Sequence, residues 1–337
     1  MRRRRAIATA ITIAIVIGVA AVLVALAIWV ADMRSEQRGR LIARHGTLVA
    51  TTVDTADPAA AAPGGYLDET LSLAADTGLR VDLRVRWPDV APGERVPVLL
   101  LLGGHRTGKD AVELAGVPDG VAYAAIDYPY DGSHRLRGVW QTLRAIPAIQ
   151  QAFLDTPPAL SLALDWLLAQ PWADPARTEL VGVSLGVPFA AAAGALDERF
   201  RRVWLIHGAG DNHAWLAHNL REDFPADWRR AVMTEFFYTL IYAESFRTAR
   251  WVEAIPPRPA VIIAAREDER LPPEALAPLP AIAAREPAVD LLWTDGLHIE
   301  PDRPEVIRQL LDLVLVRVRQ DPPPVAPAAD PESRQPR

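Results

Sequence analysis

Six short apolar runs, Val96 to Leu102, Val121 to Ile126, Glu179 to Val183, Val203 to Ile206, Ala260 to Ala265 and Val289 to Trp293, recur along this chain. They lack the polar alternation of a strand with one wet face, so each reads as a strand covered on both sides. Helix-like stretches separate them: Lys109 to Ala115, a long region within Val139 to Ala169, Pro188 to Ala195, and Pro304 to Val318. Strand–helix alternation forces crossover connections and a mostly parallel central sheet with helices on both faces, an α/β fold. Leu71 to Ala75 and Leu79 to Arg86 flank Asp76-Thr77-Gly78, a hairpin signal that adds an antiparallel edge. In such sheets ligands bind beyond the carboxyl ends of the strands.

The 337-residue chain holds far more than a core needs at its two ends. Behind the basic segment 1–5, Ala6 to Ala31 carries no charged residue and exceeds the ~20 residues that cross a bilayer as a helix. It is also longer than the ~7–15 residues of a signal-peptide apolar region, which favours a retained anchor over cleavage near Ala25-Leu26-Ala27. Arg34, Arg38, Arg40 and Arg44 nearly balance Arg2 to Arg5. The compact leading cluster is the harder to translocate, so the amino terminus is expected in the cytoplasm and the body outside. Residues 32–65, polar and then Ala/Pro/Gly-rich, read as a linker, and the Pro-rich tail 321–337 cannot build a core. The globular domain is expected over 66–320.

Composition narrows the chemistry. There are no cysteines, which removes disulfides, thiolate metal sites and cysteine nucleophiles, and the net charge of −6 argues against nucleic-acid binding. Gly182-Val183-Ser184-Leu185-Gly186 follows a strand and opens a helix, the place for a serine nucleophile in a tight turn. A serine hydroxyl needs a base, itself held by a carboxylate. His298, just after the last strand, is the chosen base, and His207, at a strand end, is its rival and a candidate pocket residue. The carboxylate should lie in Arg266-Glu267-Asp268-Glu269-Arg270, where Asp268 is preferred to Glu267 and Glu269.

The order Ser184, Asp268, His298 resembles the α/β-hydrolase superfamily over roughly Tyr66 to Gln320. The opening hairpin and the acid loop ending in Leu271-Pro272 resemble its dienelactone-hydrolase and prolyl-oligopeptidase catalytic-domain branch. The resemblance implies a cofactor-free acyl-enzyme mechanism with those three residues as nucleophile, acid and base. An oxyanion hole needs two N–H donors: Leu185 by position, and a second from Gly103-Gly104-His105, where Gly104 and His105 both qualify. This chain departs there from the His-Gly pair that many relatives carry.

Asp127 to Gly132 reads as a turn, with Tyr128 a possible pocket residue. The segment Asp211 to Ile255, after the sixth core strand, is long and aromatic-rich, with Trp215, Trp228, Phe236, Phe237, Tyr242 and Phe246 among its rings. It reads equally as a lid over an acyl group, with Phe236, Phe237 and Tyr242 as candidate contacts, or as a helical excursion glued to the sheet. A metal at Asp211, His213 and His218 is not expected, because five-residue spacing splits the imidazoles between helix faces. The expectation is therefore a membrane-anchored serine hydrolase that cleaves an ester, thioester or amide of a small or lipid-like acyl substrate, without cofactor or metal. A peptidase of the same fold and a catalytically silent scaffold at the membrane are the alternatives.

Overall fold

The computed structural model describes residues 2–57, 65–104, 107–117, 119–132 and 139–320. Nine strands form one sheet in the order β1-β2-β3-β5-β4-β6-β7-β8-β9. They are β1 (Leu48–Asp57), β2 (Tyr66–Ala75), β3 (Arg80–Pro88), β4 (Val96–Leu102), β5 (Ala122–Ile126), β6 (Ala173–Val183), β7 (Val203–Ile206), β8 (Ala260–Ala265) and β9 (Val289–Thr294). The pairs β1/β2, β2/β3 and β3/β5 are antiparallel, and every pairing from β5 through β4 to β9 is parallel.

Helices α1 (Arg2–Met33) and α2 (Arg38–His45) precede the sheet, and α3 (Ala111–Ala115), α4 (Val139–Leu168) and α5 (Val187–Leu196) lie between its first seven strands. Helices α6 (Asn212–Asn219), α7 (Asp227–Leu240) and α8 (Thr248–Val252) separate β7 from β8. Helices α9 (Pro273–Leu276) and α10 (Pro278–Arg285) precede β9, and α11 (Pro304–Gln320) follows it. Side chains that alternate along each strand feed two cores. Val98, Leu100 and Leu102 join α4 and α5 on one face, while Leu99 and Leu101 join α3 and α11 on the other. All of β4, β5, β7 and β8 is buried, which is why their sequences run apolar without a break.

The linker expected over 32–65 is mostly structure. Strand β1 adds an outer antiparallel strand to β2, so the aromatic insertion follows the seventh strand, not the sixth. Helix α2 buries Leu41, and Arg44 clamps the buried Asp155 of α4 with Nε–Oδ1 at 2.7 Å and Nη2–Oδ2 at 3.1 Å. Polar composition hid α2, because it buries one leucine and is otherwise attached through polar contacts of Arg44 and of His45, which meets Asp165 of α4 at 2.9 Å. Residues 58–64 and the tail 321–337 lie outside the described residues.

Among the described residues one helix is long and apolar enough to cross a membrane: Ile13–Met33 has a mean hydropathy of 3.0, and none of its apolar window is buried.

Because α2 belongs to the core, Leu41→Ala should destabilise the chain by about 2–5 kcal/mol, the usual range for emptying a buried leucine site. Urea unfolding of the full chain in detergent measures it. A loss near zero would return α2 to the status of a linker.

Candidate active site

Strand β6 delivers Ser184 in a left-handed conformation, φ 52°, followed by a single 3₁₀ turn and then α5. Such a φ is uncommon for a residue with a side chain and has to be held by its surroundings. The flanking glycines are spatial necessities. A Cβ on Gly182 would lie 2.4 Å from that of Ala190, and one on Gly186 would lie 2.4 Å from the carbonyl oxygen of Leu102. The turn is therefore wedged against the end of β4.

Ser184 Oγ lies 2.8 Å from His298 Nε2, and His298 Nδ1 lies 2.8 Å from Asp268 Oδ2. A carboxylate at Nδ1 fixes the proton there and turns the Nε2 lone pair toward the serine hydroxyl. The Asp268 and His298 side chains are almost wholly buried, so water does not compete for this chain. The second Asp268 oxygen accepts the N–H groups of Arg270 (2.9 Å) and Leu271 (3.0 Å).

The rival acids have other surroundings. Glu267 is exposed. Glu269 accepts the backbone N–H of His298 at 3.0 Å and pairs with Arg303 at 2.6 Å, while Arg303 also donates to the carbonyl of His298 at 2.8 Å. Partial burial opposes its charge, yet the His298 N–H, Glu269's own backbone N–H and Arg303 hold the Glu269 carboxyl down at about 2.

His207 is buried at the end of β7 with φ 51°. Its Nδ1 accepts the N–H of Ile299 at 3.0 Å, Nε2 faces Thr294 Oγ1 at 3.4 Å, and the ring centre is 5.7 Å from that of His298. Burial, reinforced by neighbouring His298, lowers its pKa to about 4. It is a neutral prop behind the residue after His298. His207, Asp268 and His298 each offer a ligand atom within 4.8 Å of the others, so a cation there would draw on atoms that the relay already uses.

Gly104 comes close to the serine: its Cβ position is 3.3 Å from Ser184 Cβ. His105, the alternative second donor, lies outside the described residues. The loop after β5, read from sequence as a plain turn, fastens the loop after β4. Tyr128 donates its hydroxyl to the carbonyl of Gly103 at 2.8 Å, and burial pushes that phenol far up. Asp127 accepts the N–H of Lys109 at 2.8 Å and pairs with its ammonium at 3.1 Å. An acid and a tyrosine at a strand's carboxyl end were the available signal.

Two cavities meet at Ser184. The smaller, about 60 Å³, is lined by Phe153, Phe189, Trp215, Leu216, Ile241, Phe246 and His207 among others. The larger, about 600 Å³, passes Gly104, Thr107 and His298. It runs between Leu99, Leu101 and Val181 of the sheet, Leu114 of α3, and Ile307, Leu310 and Val314 of α11. Phe236, Phe237 and Tyr242 line neither cavity. Phe236 is exposed, Phe237 packs against the core, and Tyr242 is buried within it. The insertion reaches the serine through α6 and the segment after α7, so Trp215, Ile241 and Phe246 take the places expected for those three. Aromatic abundance does not tell which helix face turns inward. Asp211 caps α6 by accepting the N–H groups of His213 (2.8 Å) and Ala214 (3.1 Å), and His213 bonds Glu235 instead of His218.

A mixed sheet with an antiparallel edge and a serine on a strand-to-helix turn is the α/β-hydrolase fold, and this chain has it. Solved structures of low sequence identity share it. Acetyl xylan esterase from Paenibacillus sp. R4 gives a TM-score of 0.54 at 17% identity, covering 82% of this chain and 92% of that one. Glucuronoyl esterase from Solibacter usitatus gives 0.52 at 14%, covering 85% and 93%. Acetyl xylan esterase 1 from Thermoanaerobacterium sp. JW/SL YS485 gives 0.53 at 14%, covering 84% and 93%. No family model and no curated protein matches the chain.

The His207 prop generates a pH signature. Its folded pKa of about 4 lies below the ordinary ~6.5, so the unfolded chain takes up the proton first. The stabilisation is complete above about pH 6.5 and lost as pH falls toward 4. Asn places Oδ1 where Nδ1 sits, tolerates positive φ and does not titrate. His207→Asn should thus show a flatter melting temperature between about pH 6.5 and 4.5 than the parent chain. Parallel slopes in that window would remove His207 from this role.

Proposed function

We propose that the chain is a serine hydrolase that cleaves a carboxylic ester through an acyl-enzyme and is held to a membrane by α1. The observation that carries this reading is the hydrogen-bonded chain Ser184–His298–Asp268, with 2.8 Å at both links and the serine open to both cavities. His298 Nε2 takes the hydroxyl proton as Ser184 Oγ attacks the ester carbonyl. Asp268 stabilises the imidazolium that forms. The N–H of Leu185, at the start of the helical turn, and a second N–H at Gly104 or His105 would receive the developing oxyanion. Collapse breaks the bond to the alcohol, which leaves with the proton from His298. Water, activated by the same base, then hydrolyses the acyl-serine. No step calls for a cofactor. An ester is favoured over an amide by the esterase names of the structural neighbours.

The two cavities suggest which side holds what. A space of about 60 Å³ suits a small group, whereas about 600 Å³ of mostly aliphatic lining suits a long acyl chain. The charge-free run Ala6 to Ala31 of α1, kept in place behind its four leading arginines, would leave the amino terminus in the cytoplasm and the hydrolase outside.

Ser184→Ala should abolish labelling by a fluorophosphonate and lower hydrolysis of p-nitrophenyl esters by ~10⁴ to 10⁶ in kcat. Retention of most of the rate would reject Ser184 as the nucleophile, whereas a parent chain that neither labels nor hydrolyses would be the silent scaffold. Leu114→Trp and Ile307→Trp, at partly exposed positions of the larger cavity, test the acyl assignment. Each should weaken kcat/KM for octanoyl relative to acetyl esters by ~1–3 kcal/mol. Unchanged selectivity would assign the larger cavity to the alcohol. Full-length protein should resist alkaline carbonate extraction from membranes.

A further inference from the structure

The outer face of α7 is apolar where a water-facing helix ordinarily is not. Trp228, Val232 and Phe236 follow one another at four-residue spacing and are 68%, 59% and 47% exposed. That spacing aligns them in one stripe along the helix. Arg229 stacks its guanidinium over the Trp228 ring, 5.2 Å from its centre, and so borders the stripe with charge.

The end of α1 reaches the same face. Met33, the last residue of α1, is buried in the hydrolase core and not in a free tether. Arg34, the next residue, pairs with Glu235 and donates from Nε to Thr239 Oγ1 at 2.9 Å. Glu235 and Thr239 lie one helical turn apart, beside Val232 and Phe236. Ser245 Oγ, just beyond α7, donates to the carbonyl of Ser35 at 2.8 Å. The apolar span ends at Met33, so Arg34 marks the depth at which chain leaves hydrocarbon for water. Exposed Trp29, about 7.5 Å further along α1, stands where interfacial tryptophans ordinarily sit. Helix α7 is therefore fixed at the boundary layer of whatever bilayer α1 crosses.

We infer that the Trp228–Val232–Phe236 stripe of α7 lies in the headgroup region of the bilayer spanned by α1, making the insertion a second, interfacial membrane contact. The inference rests on the reading of α1 as a retained anchor. An interfacial helix of this kind buries its apolar face about 5–10 Å into the headgroup boundary and keeps its arginines at the edge. The same insertion carries Trp215, which borders both cavities. His213 of α6 bonds Glu235 at 2.8 Å, so the helix lining the site is tied to the helix at the membrane through one carboxylate.

The absence of cysteine permits a direct measurement. In the full-length chain, Trp228→Cys, Val232→Cys and, on α11 across the sheet, Val316→Cys are each labelled with the fluorophore NBD. The proteins are reconstituted into phosphatidylcholine vesicles containing phosphatidylglycerol, with or without doxyl-labelled lipid. Fluorophosphonate labelling of each variant at the parent level certifies the fold. Probes at 228 and 232 should emit to the blue of the probe at 316 and be quenched by doxyl lipid several-fold more strongly. Equal quenching at all three positions, in protein that still resists carbonate extraction, would overturn the interfacial contact and leave the anchor standing. Blue emission without lipid quenching, together with concentration-dependent disulfide formation by Val232→Cys, would give the stripe to a second copy of the chain and also overturn it. Loss of the protein to carbonate would remove the anchor and this inference together.

Discussion

The site depends on one close approach, that of the Ser184 turn to the end of β4. Only a hydrogen at Gly186 Cα fits beside the Leu102 carbonyl, so the serine turn and the loop carrying Gly103 and Gly104 form one packed unit. Parallel pairing of β4 with β6 brings the two carboxyl ends level, with Leu102 opposite Gly182. The strained φ of Ser184 is affordable because buried strand on one side and the buried helix α5 on the other over-determine the turn. Tyr128 and Asp127 extend the same logic outward, since each fixes the β4 loop from the neighbouring strand β5.

His298 is held by a different means. It lies on a loop, where side-chain precision does not come free. Four groups from three segments supply it: Asp268 at the ring, Glu269 and Arg303 at the backbone N–H and carbonyl, and His207 behind Ile299. Two adjacent acids thus have separate tasks, one for the imidazole and one for the chain that carries it. Glu269 suits its task by remaining ionised to low pH, and His207 suits its own by remaining neutral.

These divisions explain what sequence could and could not reveal. The parallel core was legible because strands buried on both faces read as unbroken apolar runs, and Ser184 because two glycines and a following helix mark the turn. Asp268 and His298 followed from the position of their loops relative to β8 and β9. The separate tasks of Glu269, Arg303 and His207 were not legible, since they are set by distances of about one hydrogen bond between segments far apart in sequence. Strand β1 and helix α2 were hidden for the opposite reason. An edge strand and a short helix held by one leucine and by the polar contacts of Arg44 and His45 carry little apolar signal. The insertion shows its aromatic content in sequence but not the face each ring turns to, so nothing in sequence marks Trp215, Ile241 and Phe246, rather than Phe236, Phe237 and Tyr242, as the residues beside Ser184.

The insertion resolves into two surfaces with opposite duties, and its helices need both. The inner surface must fill space beside Ser184, so it presents Trp215, Ile241 and Phe246 and joins them to Phe189 of α5, with Phe246 and Phe189 ring centres 4.8 Å apart. The outer surface keeps Trp228, Val232 and Phe236 away from that core at a cost in exposed apolar area that packing against the sheet could have relieved. Helix α7 is nonetheless firmly seated, through buried Thr234, Tyr238 and Leu240 and through the Leu240 carbonyl, which accepts from Gln150 of α4 at 2.6 Å. A helix seated this well on one side, apolar on the other and ion-paired to the end of a membrane-length helix is organised to relate the position of the site to a surface.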